Sequence, residues 1–261
     1  MRSPTRVLAV VAGAWSVALL APTVVWADAL TPESGGSPNA DEIDSLYKLV
    51  LYVALVVFIA VEGMLVYSLV HFRSRRGRVA AQIRGNTRLE IGWTLGAALI
   101  LVVLTVITFI KLGAIANPPP AAPVADAAAR SNTLRIEVSG QQYIWRFRYP
   151  SGVIAYEQMV VPTGTRVLLD IVSSDVAHSW WIPRLGGKAD AIPGYTNHTW
   201  FSIARAGVFR GQCAELCGRN HADMTAHVRA VSPTHFRAWL KTQQRDLREA
   251  RSQASSIRGV P

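Results

Sequence analysis

Two nearly uninterrupted apolar stretches, Leu49 to Val70 and Ile91 to Ile110, stand out along the chain. Each is close to the ~20 residues that cross a bilayer as an α-helix, so together they predict a transmembrane hairpin. From Thr133 onward the pattern changes to short runs rich in β-branched and aromatic residues, separated by turn formers: LRIEVSG, YIWRFRYP, GVIAYEQMVVP, TRVLLDIVSS, HTWFSIARAG and MTAHVRAVSP. That spacing predicts a small all-β barrel or sandwich. Within it Val167, Leu168 and Leu169 are consecutive, as in a strand buried on both faces. Ser232-Pro233 then supplies an N-cap and a first-turn proline, and Phe236, Trp239 and Leu240 follow at helical spacing.

The flanks of the apolar runs orient them. Arg73, Arg75, Arg76, Arg78, Arg84 and Arg88 fill the loop between them, and short basic loops stay cytoplasmic. At the amino end, Arg2 and Arg6 precede an apolar run ending near Leu20, and Val25-Trp26-Ala27 resembles the small-residue cleavage site of a secretory signal. A third membrane helix is the alternative, but the run falls short of ~20 residues and Pro22 interrupts it. Both signals place the carboxyl-terminal half outside the cytoplasm, anchored by a two-pass hairpin in a bacterial-type inner membrane. The predicted organisation is a signal over 1–27, an extracytoplasmic lead-in over 28–48, the hairpin over 49–110, a Pro/Ala linker over 111–132, the β-domain over 133–232, a helix over 233–250 and a disordered tail over 251–261.

A formal charge of +10 raises nucleic acid as a partner. Much of the excess lies in the arginine loop and in the tail after Pro233, and an exported domain rarely meets nucleic acid, so none is expected.

The chemistry concentrates in CAELCGRNHADM, which places Cys213, Cys217, His221 and Met224 in one tight stretch. Thiolate, imidazole and thioether suit copper by softness. A mononuclear blue-copper site takes one cysteine and two histidines, so one cysteine is surplus. Two thiolates can instead bridge two copper ions, each then needing one imidazole, which requires a second histidine. His178 in SSDVAHSWW is the best candidate, arriving from a loop after the apolar strand, with Asp175 placed to orient that loop or the imidazole. Two blander readings stay open. In an oxidising compartment the two cysteines suit a disulfide, and Met224 alone suits core packing.

CAELCGRNHADM, SSDVAHSWWIP and GKADAIPG, with the membrane hairpin, resemble subunit II of cytochrome c oxidase. The resemblance implies a membrane-anchored cupredoxin-like Greek-key domain holding the dinuclear copper centre named CuA. Cys213 and Cys217 would be its bridging thiolates, His178 and His221 its terminal ligands, and Met224 and the Glu215 carbonyl its axial ligands. It further implies a magnesium site at the Glu215 carboxylate, shared with subunit I. The implied function is electron entry from a cytochrome c, with electrons passed to haem in subunit I for oxygen reduction coupled to proton translocation. A copper-delivering assembly factor of thioredoxin-like fold is a rival, since it also carries C-x-x-x-C and a distant histidine. That fold needs helices after the cysteines and a downstream histidine, whereas here strands precede the cysteines and the distant histidine is upstream.

The aromatic segment GQQYIWRFRYP resembles the family's G-H-Q-W-Y-W, with Tyr143 where the electron-entry tryptophan usually lies and Trp145 retained. Core packing is the alternative for both aromatics. The extracytoplasmic domain carries Arg146, Arg148, Arg166, Arg184, Arg205, Arg210, Arg219 and Arg229, so the donor expected either is not a strongly basic cytochrome or docks mainly through apolar contact. Glu90 in LEIGWT resembles the family's glutamate at a proton-path entrance, the alternative being a solvated carboxylate balancing Arg88.

Overall fold

The computed structural model describes residues 30–73, 82, 84–118 and 133–258. The expected signal segment, most of the arginine loop and most of the linker lie outside these residues. The first membrane helix, α1, spans Pro38–His71, and the second, α2, spans Thr87–Ala116. At 34 and 30 residues they measure ~51 and ~45 Å, more than the ~30 Å hydrocarbon layer. Both therefore overrun the apolar runs that announced them. Hydropathy marks only the part that sits in lipid, while the backbone ladder continues into polar turns.

Those polar turns attach the hairpin to the β-domain. Pro38 opens α1 behind Ser37, and Ser37 Oγ accepts the Ser202 N–H at 3.1 Å. Asn39 Nδ2 donates to the Trp200 carbonyl at 2.8 Å, and Trp200 Nε1 donates to the Ile115 carbonyl at 3.0 Å. Lys111 pairs with Glu42 at 2.6 Å and ties the outer ends of the two helices together.

Ten strands follow: β1 (Thr133–Gln141), β2 (Ile144–Arg148), β3 (Ile154–Tyr156), β4 (Gln158–Pro162), β5 (Arg166–Ser173), β6 (His178–Trp181), β7 (Ala189–Ala191), β8 (Asn197–Ser202), β9 (Gly207–Cys213) and β10 (Thr225–Val231). They form two five-stranded sheets, ordered β3-β2-β1-β5-β8 and β4-β10-β9-β6-β7. Pairs β1/β5 and β4/β10 are parallel and the other pairs antiparallel, so the chain crosses repeatedly between sheets. The expected membrane-anchored β-sandwich with a closing helix is the observed architecture.

Between the sheets Ile136, Val138, Phe147, Leu169 and Ile171 meet Met159, Val161, Trp180 and Val228, with the Phe147 and Trp180 rings 5.5 Å apart. Sequence and structure differ in three places. The run GVIAYEQMVVP is two strands, because Glu157 takes a φ of 59° and turns the chain from the first sheet to the second. β5 is buried on one face: Val167, Leu169 and Ile171 enter the core, whereas Leu168 lies on the outer face beside the end of α2 and is only half covered. The third departure is the last helix, α3, which begins at Pro233 as expected but continues to Arg258. Phe236 and Trp239 seat its first turns on Tyr149, and regular helix carries on over 251–258, within the stretch expected to be disordered, whose last residues lie outside the described ones.

Candidate metal centre

Cys213 is the last residue of β9, and Met224 immediately precedes β10. These strands are antiparallel, with Gln212 opposite Thr225, and Cys213 N–H donates to the Met224 carbonyl at 2.9 Å. The ladder thus brings the first and last members of CAELCGRNHADM together, and the residues between them fold over the sheet end. A short 3₁₀ turn over His221–Asp223 points His221 back toward Cys217.

His178 comes from β6, which pairs with β9 so that Trp180 faces Cys213. It is therefore the first residue of a strand, where the sequence suggested a loop. Its position two residues before Trp180 points it to the same inner side, and it is wholly buried. The Ala214 N–H, bonded to the Ser179 carbonyl at 2.9 Å, fastens the cysteine loop to β6.

The donor atoms converge. Cys213 Sγ lies 3.9 Å from Cys217 Sγ, 3.8 Å from His178 Nδ1 and 3.3 Å from the Glu215 carbonyl. Cys217 Sγ lies 3.5 Å from His221 Nδ1 and 3.9 Å from Met224 Sδ. A disulfide needs its sulfurs about 2.05 Å apart, and here both cysteines are free thiols at nonbonded separation. Metal–thiolate bonds are about 2.3 Å, so sulfurs 3.9 Å apart suit two thiolates that share a metal. Burial pushes the Cys217 thiol up to about 11, reinforced by the neighbouring Cys213. The Cys217 thiol therefore resists ionising on its own, and a cation beside it would reverse that preference.

Asp175 lies against the His178 ring. Its Oδ1 sits 2.9 Å from His178 Nε2, leaving Nδ1 turned toward Cys213. Desolvation works against the Asp175 anion, but the Gln142 N–H, the His178 ring and the Val176 N–H together outweigh it and lower the carboxyl pKa. A carboxylate on the far nitrogen fixes the ring's orientation and tautomer, as is usual for metal-bound histidine.

The remaining expected residues divide. Trp145 is wholly buried, edge-on to His178 at 5.9 Å and to Trp180 at 5.3 Å between centroids, so it presents no surface to a docking molecule. Tyr143 is half-buried at the rim, where its hydroxyl accepts the Arg219 N–H at 3.1 Å. The Glu215 side chain is exposed. Glu90 lies in the first turn of α2, remote in sequence from the donors, and its Oε1 accepts the Asn86 N–H at 3.3 Å. Sequence reasoning passed over Gly140 and Gln142, which touch both sides of the site. A Cβ on Gly140 would sit 2.8 Å from the His178 ring, and Gln142 Nε2 donates to the Cys217 carbonyl at 2.6 Å. Their only sequence signal was membership of GQQYIW beside the noticed aromatics.

Comparison with known proteins identifies the family. Residues 153–231 match the family model for the periplasmic domain of cytochrome c oxidase subunit II, and residues 26–110 match that for its transmembrane domain. A probable cytochrome c oxidase subunit 2 from Rickettsia bellii is 32% identical over 80% of this chain and 82% of its own length. The chain belongs to the cytochrome c oxidase subunit II family. A subunit 2 from Alkalihalophilus pseudofirmus is 36% identical over 84% of this chain, which spans 64% of that relative's length. The crystal structure of the periplasmic domain of subunit II from Bradyrhizobium japonicum shares 34% identity over 43% of this chain and 94% of its own, with a TM-score of 0.42.

Family membership makes this chain a membrane-anchored subunit of cytochrome c oxidase, an oxidoreductase, its β-domain being the periplasmic part. It also disposes of the delivery-factor reading, since the domain is a two-sheet β-sandwich with strands preceding the cysteines. In subunit II terms, His178, Cys213 and Cys217 form a compact buried group whose donor atoms lie within 4.8 Å of one another.

Proposed function

We propose that this chain is the electron-entry subunit of a respiratory cytochrome c oxidase, holding two copper ions in a CuA centre. The observation that carries the reading is the donor set. Two thiols, two imidazole Nδ1 atoms, a thioether and a backbone carbonyl face one another at one sheet end, with Asp175 occupying the far nitrogen of His178. Six donors exceed what one four-coordinate ion uses, and they leave no side open to a substrate, unlike a catalytic metal site.

When bound, the copper pair supplies a one-electron carrier. The chain's own residues do the rest. Cys213 and Cys217 would give up their thiol protons on metal uptake, and the ladder from β9 to β10 fixes Cys213 and Met224 at the two ends of the loop that carries Cys217. Trp145 and Trp180 pack against the inner side and keep out water, so a change of charge meets little solvent to reorganise. Leu216, between the cysteines and 78% exposed, gives a donor an apolar contact over the site. Tyr143 borders the same rim and is the proposed electron-entry residue. The electrons are destined for haem in subunit I.

Two further assignments rest on family likeness: magnesium at the Glu215 carboxylate with subunit I, and proton admission at Glu90. The many arginines of the domain imply a cytochrome c donor that is not strongly basic. Turnover that falls steeply with added salt when a basic cytochrome is the donor would refute that implication. For the copper assignment, electron paramagnetic resonance of the copper-loaded full chain is the direct test. Hyperfine structure from one electron shared by two equivalent coppers is expected, and a mononuclear spectrum would overturn the reading.

A further inference from the structure

The hairpin between β1 and β2 reaches across the sandwich end and touches both the segment around His178 and the loop around Cys217. Gly140 lies against the His178 ring, and its carbonyl accepts the Ser174 N–H at 3.1 Å. At Gln142 the contacts become two-sided. Its backbone N–H donates to Asp175 Oδ2 at 2.7 Å, the carboxylate whose other oxygen holds His178. Its carboxamide donates to the Cys217 carbonyl at 2.6 Å. Next to it, the Tyr143 hydroxyl accepts the Arg219 N–H, and Gly218, at φ +133°, fits beneath both side chains. A Cβ on Gly218 would meet Tyr143 Oη at 2.6 Å and Gln142 Nε2 at 2.9 Å.

We infer that Gln142 is a positioning residue for the metal centre, joining the His178 half of the donor set to the Cys217 half. The two halves need such a link for a structural reason. His178 and Cys213 belong to paired strands, whose ladder fixes them. Cys217 and His221 belong to the loop between β9 and β10, where Cys217 precedes a glycine and has no ladder partner. The Gln142 carboxamide gives that carbonyl a partner from outside the loop. Because Gln142 also donates to Asp175, a shift of the cysteine loop is felt at the imidazole through one residue. These hydrogen bonds use none of the proposed donor atoms, so they can hold the loop in place independently of an ion. Such preorganisation by groups outside the ligand sphere typically changes metal affinity about 10–100-fold.

The inference rests on the CuA reading for its copper consequence, but its structural part can be tested without metal. In the detergent-solubilised full chain, whose only cysteines are Cys213 and Cys217, Q142A is compared with Q141A, an equally exposed neighbour on the same hairpin. In the apo forms, mass-resolved alkylation of Cys217 is expected to accelerate roughly 2- to 10-fold in Q142A, the opening that loss of one hydrogen bond permits. Cys213 should be nearly unaffected, a selectivity that general destabilisation would not give. On copper loading, chelator competition should show affinity lowered about 10–100-fold in Q142A, with an altered paramagnetic spectrum at saturation. Equal labelling of Q142A and Q141A would overturn the inference whatever the metal result. A wild-type spectrum from a single copper would defeat the CuA reading alone, leaving selective Cys217 labelling as support for the clamp.

Discussion

Gly140 offers the sharpest test of how the site is held. A Cβ built there lies 2.8 Å from His178 Cδ2, 3.0 Å from Cγ and 3.2 Å from Cβ. Carbon atoms pack at about 3.5–4.0 Å, so in G140A the imidazole must retreat by about 0.7–1.2 Å. It has nowhere to go at low cost. His178 is fully buried, Trp145 lies edge-on to it, and Asp175 holds its far nitrogen. Overpacking of this kind costs about 1–3 kcal/mol. The glycine's backbone angle is one that alanine adopts freely, so the effect isolates the steric push on the ring. A ligand displaced by most of an ångström falls outside the roughly 0.2 Å tolerance of a metal bond, and copper affinity should fall at least tenfold. Thermal unfolding and chelator competition on the full chain measure the two effects, with G207A as the control, since its Cβ would meet only Phe209 at 3.8 Å. Copper binding and spectrum unchanged in a G140A protein that is merely less stable would refute the coupling of this glycine to the site.

Two other expectations follow from the same coordinates. The Cys217 thiol, raised by burial to about 11, is protonated in the folded apo chain when the unfolded thiol, near 9.0, has begun to ionise. Apo stability is therefore complete below about pH 9 and declines between pH 9 and 11, and copper affinity should rise about tenfold per pH unit for the Cys217 proton it displaces; denaturant melts and chelator titrations across that range check both, and pH-independent affinity would contradict the thiolate assignment. At the membrane face, W200F removes the indole bond to the Ile115 carbonyl and puts a smaller ring in a buried position. It should cost about 1–3 kcal/mol and speed hydrogen exchange at the end of α2 without changing the copper spectrum; a changed spectrum would mean that the helix–domain junction reaches the metal site.

Much of this molecule was legible before folding because its signals are local. A bilayer demands a run of apolar residues contiguous in sequence, so the hairpin could be read directly, though not the polar turns beyond it. The proposed ligands in CAELCGRNHADM lie within one stretch, and their chemical softness points to copper without coordinates. Strand counting was less successful. Short segments such as Ala189–Ala191 and His178–Trp181 carry no periodic signal of their own and are strands only because a neighbour offers its edge. Likewise β5 was misjudged because Leu168 owes its partial cover to α2, a helix distant in sequence.

By itself, the sequence determined which donor atoms exist, that they suit copper, that a membrane anchor precedes them, and that a second histidine had to come from elsewhere. Only the tertiary structure decided that His178 arrives on a strand paired to the one ending in Cys213, that Asp175 takes its far nitrogen, that Trp145 is interior, and that Gly140 and Gln142 brace the site from a third hairpin. The physical reason is sequence distance. Residues within one loop are joined by the chain, so their spacing carries information, whereas Gln142 and Cys217 are separated by 75 positions and meet only because two sheets pack.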